Sequence, residues 1–128
     1  MTRSRRILAL ALLLAASACA NSEGSPYERG KAAFDQGDIR TARVELLNAL
    51  QADPDNQAAR LLQARVQLAL GDGVAAESEL ARARQSGVPE DQTRHLFAHA
   101  RLLQNDPQGA LDAAAEVPEA HAAYAARI

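Results

Sequence analysis

The residues best suited to chemistry are His95 and His99, which lie four positions apart. On a helix this spacing puts both imidazoles on one face, where they could chelate a metal ion. A zinc site needs a third protein ligand, and no motif in the sequence supplies one. A metal-dependent enzyme that uses His95 and His99 is therefore a remote alternative, and both rings are interpreted as recognition residues or as solvated polar side chains.

Pairs of nearby carboxylates are the other candidates for catalysis, and they occur at Glu77 and Glu79 and at Glu90 and Asp91. Such pairs act as acid and base when their surroundings separate their pKa values. Here they are interpreted as solvated helix or cap charges. The sequence has no phosphate-binding loop, dinucleotide-binding glycine pattern, Cys-x-x-Cys pair or serine elbow. It predicts a non-catalytic protein with no catalytic residue, no cofactor and no bound metal.

The composition predicts an all-α chain of one domain. Of the 128 residues 48% are hydrophobic but only 3% are aromatic, and alanine, the best helix former, dominates the apolar set. The net charge is −2; without Arg3, Arg5 and Arg6 the remaining 11 basic and 16 acidic residues give −5. This negative net charge argues against a nucleic-acid partner, because phosphate binding requires a basic face.

The first 18 residues have the pattern of a secretory signal peptide. Three arginines precede an apolar run over 7–14, and small residues follow. This run is shorter than the roughly 17 to 25 residues that a membrane-spanning helix requires. We therefore predict a signal peptide over 1–18, followed by a flexible polar tether over 19–26 that begins at Cys19.

The segment Ala-Ala-Ser-Ala-Cys over 15–19 resembles the lipobox of bacterial lipoproteins. That resemblance implies cleavage before Cys19, a diacylglyceryl group on its sulfur and an acylated amino terminus, typically with palmitate. Two or three acyl chains suffice for lasting membrane attachment. Ala20, where an aspartate would signal inner-membrane retention, favours the outer membrane, with the protein facing the periplasm. The alternative is cleavage after Ala18 by an ordinary signal peptidase, which would release a soluble protein with a free thiol.

The rest of the chain repeats with a period of 34 residues. Gln-Gly-Asp at 36–38 recurs as Leu-Gly-Asp at 70–72 and as Gln-Asn-Asp at 104–106. The same step relates columns of small or apolar residues: Gly30, Ala64 and Ala98; Ala42, Ala76 and Ala110; Leu46, Leu80 and Ala114; Ala49, Ala83 and Val117. A 34-residue period with small residues in these columns resembles the tetratricopeptide repeat (TPR).

The resemblance implies an all-α, right-handed solenoid of antiparallel helical hairpins, in a TPR domain over 27–128. Its repeats are expected at about 27–56, 57–90 and 91–117, with a partial repeat over 119–128. Ser25, the three aspartates of the repeated turn and Asp53-Pro54 are predicted helix starts. The exit before repeat three is one residue longer, and its second helix is expected to stop at Val117-Pro118. The last helix is then a crude cap, an apolar face open to another subunit, or the start of further repeats in a longer protein.

In TPR arrays the first helices line a concave groove, and the resemblance nominates its side chains. The predicted partner-binding residues are Tyr27, Lys31, Phe34, Leu61, Arg65, His95 and His99. Leu68 and Leu102 fall in the same columns but are equally compatible with core contacts between repeats. This mixture suits an extended or helical peptide with some acidic character. The arrangement of lysines and asparagines that clamps a peptide carboxylate elsewhere in the family is not reproduced.

The run over 27–89 also resembles the start of the long TPR lipoproteins that accompany PEP-CTERM/exosortase exopolysaccharide systems. Its Gly-Asp-x-x-x-Ala-x-x-Glu-Leu rhythm and Asp-Pro-Asp-Asn at 53–56 carry that likeness. The resemblance implies an envelope scaffold or adaptor that binds other envelope proteins through the groove. The alternative function is a pilotin-like or assembly-factor-like lipoprotein that escorts an outer-membrane protein. A metal-dependent periplasmic enzyme is a third, remote alternative.

Overall fold

Five of the helices begin at a residue whose side chain caps them. In the computed structural model, which describes residues 24–115, an oxygen of each cap accepts a hydrogen bond of 2.9–3.2 Å from the backbone amide three residues later. The predicted caps Ser25, Asp38, Asp72 and Asp106 are confirmed. Two hydrogen bonds from Thr41 lower the pKa of Asp38: the one from its side chain has the larger effect, and the one from its backbone amide the smaller. This cap therefore stays ionised at neutral pH.

The described residues form six α-helices and one short 3₁₀ turn. The helices are α1 (Pro26–Asp35), α2 (Ile39–Ala52), α3 (Gln57–Ala69), α4 (Gly73–Gln85), α5 (Arg94–Leu103) and α6 (Pro107–Ala114), with the 3₁₀ turn at Glu90–Gln92. Residues 24–115 contain no strand, so the predicted all-α architecture is confirmed. None of these helices combines the length and apolarity needed to cross a bilayer.

The turn inside each hairpin uses the same backbone conformation, 34 residues apart. Gly37 and Gly71 have φ of 78°, and Asn105 has φ of 60°. The aspartate that follows each of them donates its amide, at 2.9 Å, to the carbonyl five residues earlier. This is the Schellman pattern, which requires a residue in the left-handed region. The repeated Gly-Asp or Asn-Asp pair therefore ends one helix and caps the next.

The hairpins α1–α2, α3–α4 and α5–α6 stack in chain order, since each second helix also packs on the first helix of the next hairpin. Two clusters of buried side chains fill the boundaries, and α3 contributes to both. From Leu62 to Leu68, only Arg65 of α3 is exposed. The prediction that this helix is sandwiched between its partner and a neighbouring repeat is confirmed.

The repeat columns are the core. Leu46 and Leu80 are fully buried, as are Ala42 and Ala76 one turn earlier on their helices. A Cβ atom built at Gly30 would lie 2.9 Å from the Cγ of Leu46, so α1 and α2 approach more closely there than any side chain on α1 would allow. Small residues thus permit the close helix approach expected from the composition.

One predicted helix start was wrong. The helix after Asp53-Pro54 begins only at Gln57, under the side chain of Asn56, because Asp53 ends α2 and its Oδ1 accepts from the amide of Asp55. In repeat three, expected over about 91–117, the 3₁₀ turn comes first and α5 starts at Arg94. Buried Thr93 holds that turn, because its hydroxyl donates to the carbonyl of Glu90 at 3.0 Å.

The interpretation of the paired carboxylates as solvated charges is wrong for Glu79 and Glu77. Glu79 is 14% exposed and its oxygens lie 3.3 Å from Arg60 and 2.9 Å from Arg82. Glu77 accepts hydrogen bonds from Arg101 and from Gln104, which also links α5 to the carbonyl of Gly73. These carboxylates join helices rather than facing solvent.

Some predicted features lie outside the described residues. They are the signal peptide over 1–18, Cys19, the expected end of the last second helix at Val117-Pro118, and the terminal helix over 119–128.

One buried side chain in α3 leads to a stability prediction. Gln63 is 1% exposed, and its Oε1 has no hydrogen-bond partner among residues 24–115. Because an unsatisfied buried acceptor costs about 1 to 3 kcal/mol, we expect Gln63→Leu to raise the free energy of unfolding by about 1 kcal/mol. Urea unfolding followed by circular dichroism measures the change. Gln51→Leu, at an exposed position of α2, is the control, and a loss of stability in Gln63→Leu alone would contradict the prediction.

Candidate functional site

The first helices of the three hairpins place the predicted partner-binding residues along one continuous groove. Helices α1, α3 and α5 contribute its side chains, and Phe34 and Arg65 belong to the lining of both cavities within it. All seven predicted residues line one cavity or the other. The structure therefore brings them together, while their role in binding stays a prediction.

The smaller cavity, of about 190 Å³, lies between α1 and α3. Its walls combine the rings of Tyr27 and Phe34 with the aliphatic side chains of Leu61 and Leu62. Lys31 and Asp35 stand at the same cavity and form a salt bridge of 2.7 Å. This bond raises the pKa of Lys31, so the lysine is charged at neutral pH, but its charge already has a counter-ion.

The larger cavity, of about 490 Å³, lies between α3 and α5 and also reaches Phe34 of α1. Leu68, Ala69 and Leu96 supply apolar walls, and Arg65, His95 and His99 supply the polar ones. Leu68 is 6% exposed and belongs to the core cluster. Its two candidate roles coincide, since it packs between repeats and forms part of the cavity wall.

His95 differs from its predicted state. It is only 3% exposed, so its ring is neither solvated nor free to reach far into the groove, and it forms part of the cavity wall. Its burial follows from its place in α5, which packs against both α4 and α6. His99 is half-buried, and desolvation lowers the pKa of its imidazole. The ring is therefore mainly neutral at pH 7.

Arg65 is the uncompensated charge of the groove. It is exposed, and within the described part of the chain it makes no hydrogen bond and no ion pair. The neighbouring arginines of the first helices differ: Arg29 pairs with Glu45 at 2.8 Å, and Arg60 pairs with Glu79. The arrangement presents a cation between two apolar cavities, which suits a carboxylate on a bound segment.

A third cavity, of about 260 Å³, lies against another face of α5 and contrasts with the groove. Arg84 and Arg94 line it, and both lie 3.4–3.5 Å from the carboxylate of Glu90. The guanidinium of Arg84 also stacks 4.3 Å above the ring of Phe97, and its Nε donates to Thr93. The basic side chains of this third cavity are held by structural contacts, so the cavity is a less suitable binding site than the groove.

The described residues offer no third ligand for a metal ion held by His95 and His99. Among residues 24–115, no three histidine, cysteine or carboxylate side chains lie close enough together to hold a metal ion. What the arrangement can do is bind: it offers two apolar cavities, one free guanidinium and a neutral imidazole.

Sequence reasoning missed several residues of the groove, among them Asp35 and Leu96. Asp35 was detectable, because it stands four residues after Lys31 on α1, the spacing of a helical ion pair. Leu96 gave no such signal, since it follows His95 directly and its column is apolar only from repeat two onward.

A comparison with protein families matches residues 33–92 to the family model described as tetratricopeptide repeat. The matched segment covers the end of α1, the whole of α2, α3 and α4, and the 3₁₀ turn. No curated protein and no solved structure matches the chain significantly. The match supports a TPR protein, and TPR domains are generally non-catalytic modules that bind other proteins.

Proposed function

We propose that this chain, whose residues 33–92 match the tetratricopeptide repeat, is a non-catalytic adaptor that captures a segment of another envelope protein in its groove. The observation that carries the proposal is the continuity of the groove. Seven residues nominated from three repeats line two cavities that share Phe34 and Arg65. A site built from three separate hairpins can contact a segment of several residues, which is how a repeat surface recognises proteins.

The proposal includes attachment to the outer membrane through lipid on Cys19, with the groove facing the periplasm. Support comes from the lipobox-like residues 15–19 and from the polar tether after them. The proposed setting is the export of an exopolysaccharide, which the resemblance of residues 27–89 to exosortase-associated lipoproteins supports.

Arg65→Glu tests the groove. Reversing the charge replaces attraction for a carboxylate with repulsion, so we expect loss of partner capture with unchanged helicity. The measurement is affinity capture from an envelope extract with the full chain, quantified by mass spectrometry, with circular dichroism of each variant.

Arg43→Glu is the matched control, because Arg43 is exposed on α2 and is not part of either cavity's lining. The control should capture the partner as the unmodified protein does. If Arg65→Glu still captures the partner at the original level, the groove is not the binding site.

Cys19→Ser tests the anchor. We expect the unmodified chain to incorporate radiolabelled palmitate and to fractionate with the outer membrane, because two or more acyl chains hold a protein there. Cys19→Ser should lose both the label and the membrane fraction. Ser17→Ala, which keeps small residues before the cysteine, is the control. If the unmodified chain is soluble and carries no palmitate label, an ordinary signal peptidase cleaves it.

A further inference from the structure

We propose that the segment bound in the groove carries an acidic residue between two apolar side chains, the larger of which enters the cavity beside α5. This inference rests on the proposed groove function and specifies the chemistry of its ligand. It follows from the charge at the centre of the groove and from the unequal sizes of the cavities on either side.

The charge requires an acidic ligand. Arg65 stands where the two cavities meet, is exposed, and has no counter-ion within residues 24–115. Lys31 is neutralised by Asp35, and the desolvated His99 is mainly neutral at pH 7. A guanidinium binds a carboxylate through two parallel hydrogen bonds, and this geometry favours a side chain that approaches the exposed centre of the groove.

The same inventory argues against a basic ligand. Among the described residues that line the two cavities, the only carboxylate is that of Asp35 in the smaller cavity, and its Oδ2 already accepts a 2.7 Å hydrogen bond from Lys31. A lysine or arginine of a bound segment would meet the free Arg65 without a free acidic partner nearby. Repulsion between like charges then disfavours such a segment.

The cavities specify what flanks the acidic residue. The larger, at about 490 Å³, has apolar walls from Phe34, Leu68 and Leu96, and it can enclose an aromatic or a long aliphatic side chain. The smaller, at about 190 Å³, has room for a short aliphatic one. Since Arg65 lies between them, the carboxylate of the bound segment lies between its two apolar side chains. The difference in size also sets the direction in which the segment lies.

A phage-displayed library of random peptides tests the inference when it is selected in parallel on the full chain and on two variants. Arg65→Gln removes the charge and keeps a polar side chain. Ala69→Trp fills the larger cavity from an exposed position of α3, so the substitution leaves the core untouched. The unmodified chain should enrich peptides with an acidic residue flanked by apolar ones. Arg65→Gln should lose the acidic preference and keep the apolar one, and Ala69→Trp should lose the preference for the larger side chain.

Affinities of one enriched peptide complete the test. Changing its acidic residue to the amide should weaken binding to the unmodified chain roughly tenfold and leave binding to Arg65→Gln unchanged. If the enriched peptides lose their enrichment on Ala69→Trp but carry no acidic residue, the inference is overturned and the groove function still stands. If no peptide loses enrichment on either variant, the groove does not bind peptides, and the proposed function fails with the inference.

Discussion

Replacing Leu46 by alanine should lower the free energy of unfolding by about 2 to 5 kcal/mol, the range for a leucine removed from a rigid core. Leu46 is fully buried at the crossing of α1 and α2. The facing position on α1 is Gly30, which has no side chain that could move into the space left behind. Because Gly30 cannot fill the space from the α1 side, we expect a cost in the upper half of the range.

The control for this substitution is the next residue of the same helix. Leu47 is 43% exposed, so Leu47→Ala changes a comparable volume but should cost less than about 1 kcal/mol. Urea unfolding of the two variants, followed by circular dichroism, gives both values. Equal losses, or a loss below about 1 kcal/mol for Leu46→Ala, would mean that the repeat register is misassigned.

Replacing Gly73 by alanine should destabilise the contact between repeats two and three by about 2 kcal/mol. Gly73 is the first residue of α4, and a Cβ atom there would collide with the backbone carbonyl oxygen of Ala100 and lie 2.9 Å from the Cβ of Leu103. Neither atom can rotate away, so α5 must shift as a whole. Overpacking of this kind costs about 1 to 3 kcal/mol or more, against a gain of at most about 1 kcal/mol in helix propensity.

The neighbouring substitution Val74→Ala shows whether the first turn of α4 is sensitive in general. Val74 is 67% exposed, so its truncation should have little effect. Thermal unfolding followed by calorimetry measures both variants. A Gly73→Ala protein as stable as the unmodified one would show that α4 and α5 do not approach as closely as the structure has them.

The local features of the fold were predictable because they depend on residues close together in the chain. A cap needs an oxygen three residues before an amide, and a Schellman turn needs Gly or Asn one residue before the cap. Asp38, Asp72 and Asp106 met both requirements at a spacing of 34. The groove residues were predictable for a related reason, since one repeat's geometry transfers to the next.

The features that sequence reasoning missed depend on partners far along the chain. Glu79 looks like an ordinary helix charge until Arg60, on the preceding helix, is placed against it. His95 occupies a groove column, yet its exposure depends on how tightly α5 is enclosed by helices on both sides. The start of α5 has a local cause instead, because the hydroxyl of Thr93 stabilises a 3₁₀ turn at positions where repeat two is already helical.

The alanine-rich core also affects how the stability of this protein depends on temperature. Ten of the seventeen buried hydrophobic residues within 24–115 are alanine, each of which hides a single methyl group. The heat capacity of unfolding rises with the apolar surface that is newly hydrated. We therefore expect a value per residue below the usual ~12 to 15 cal/mol/K, and hence a flatter curve of free energy against temperature. The array should lose little of its stability on cooling.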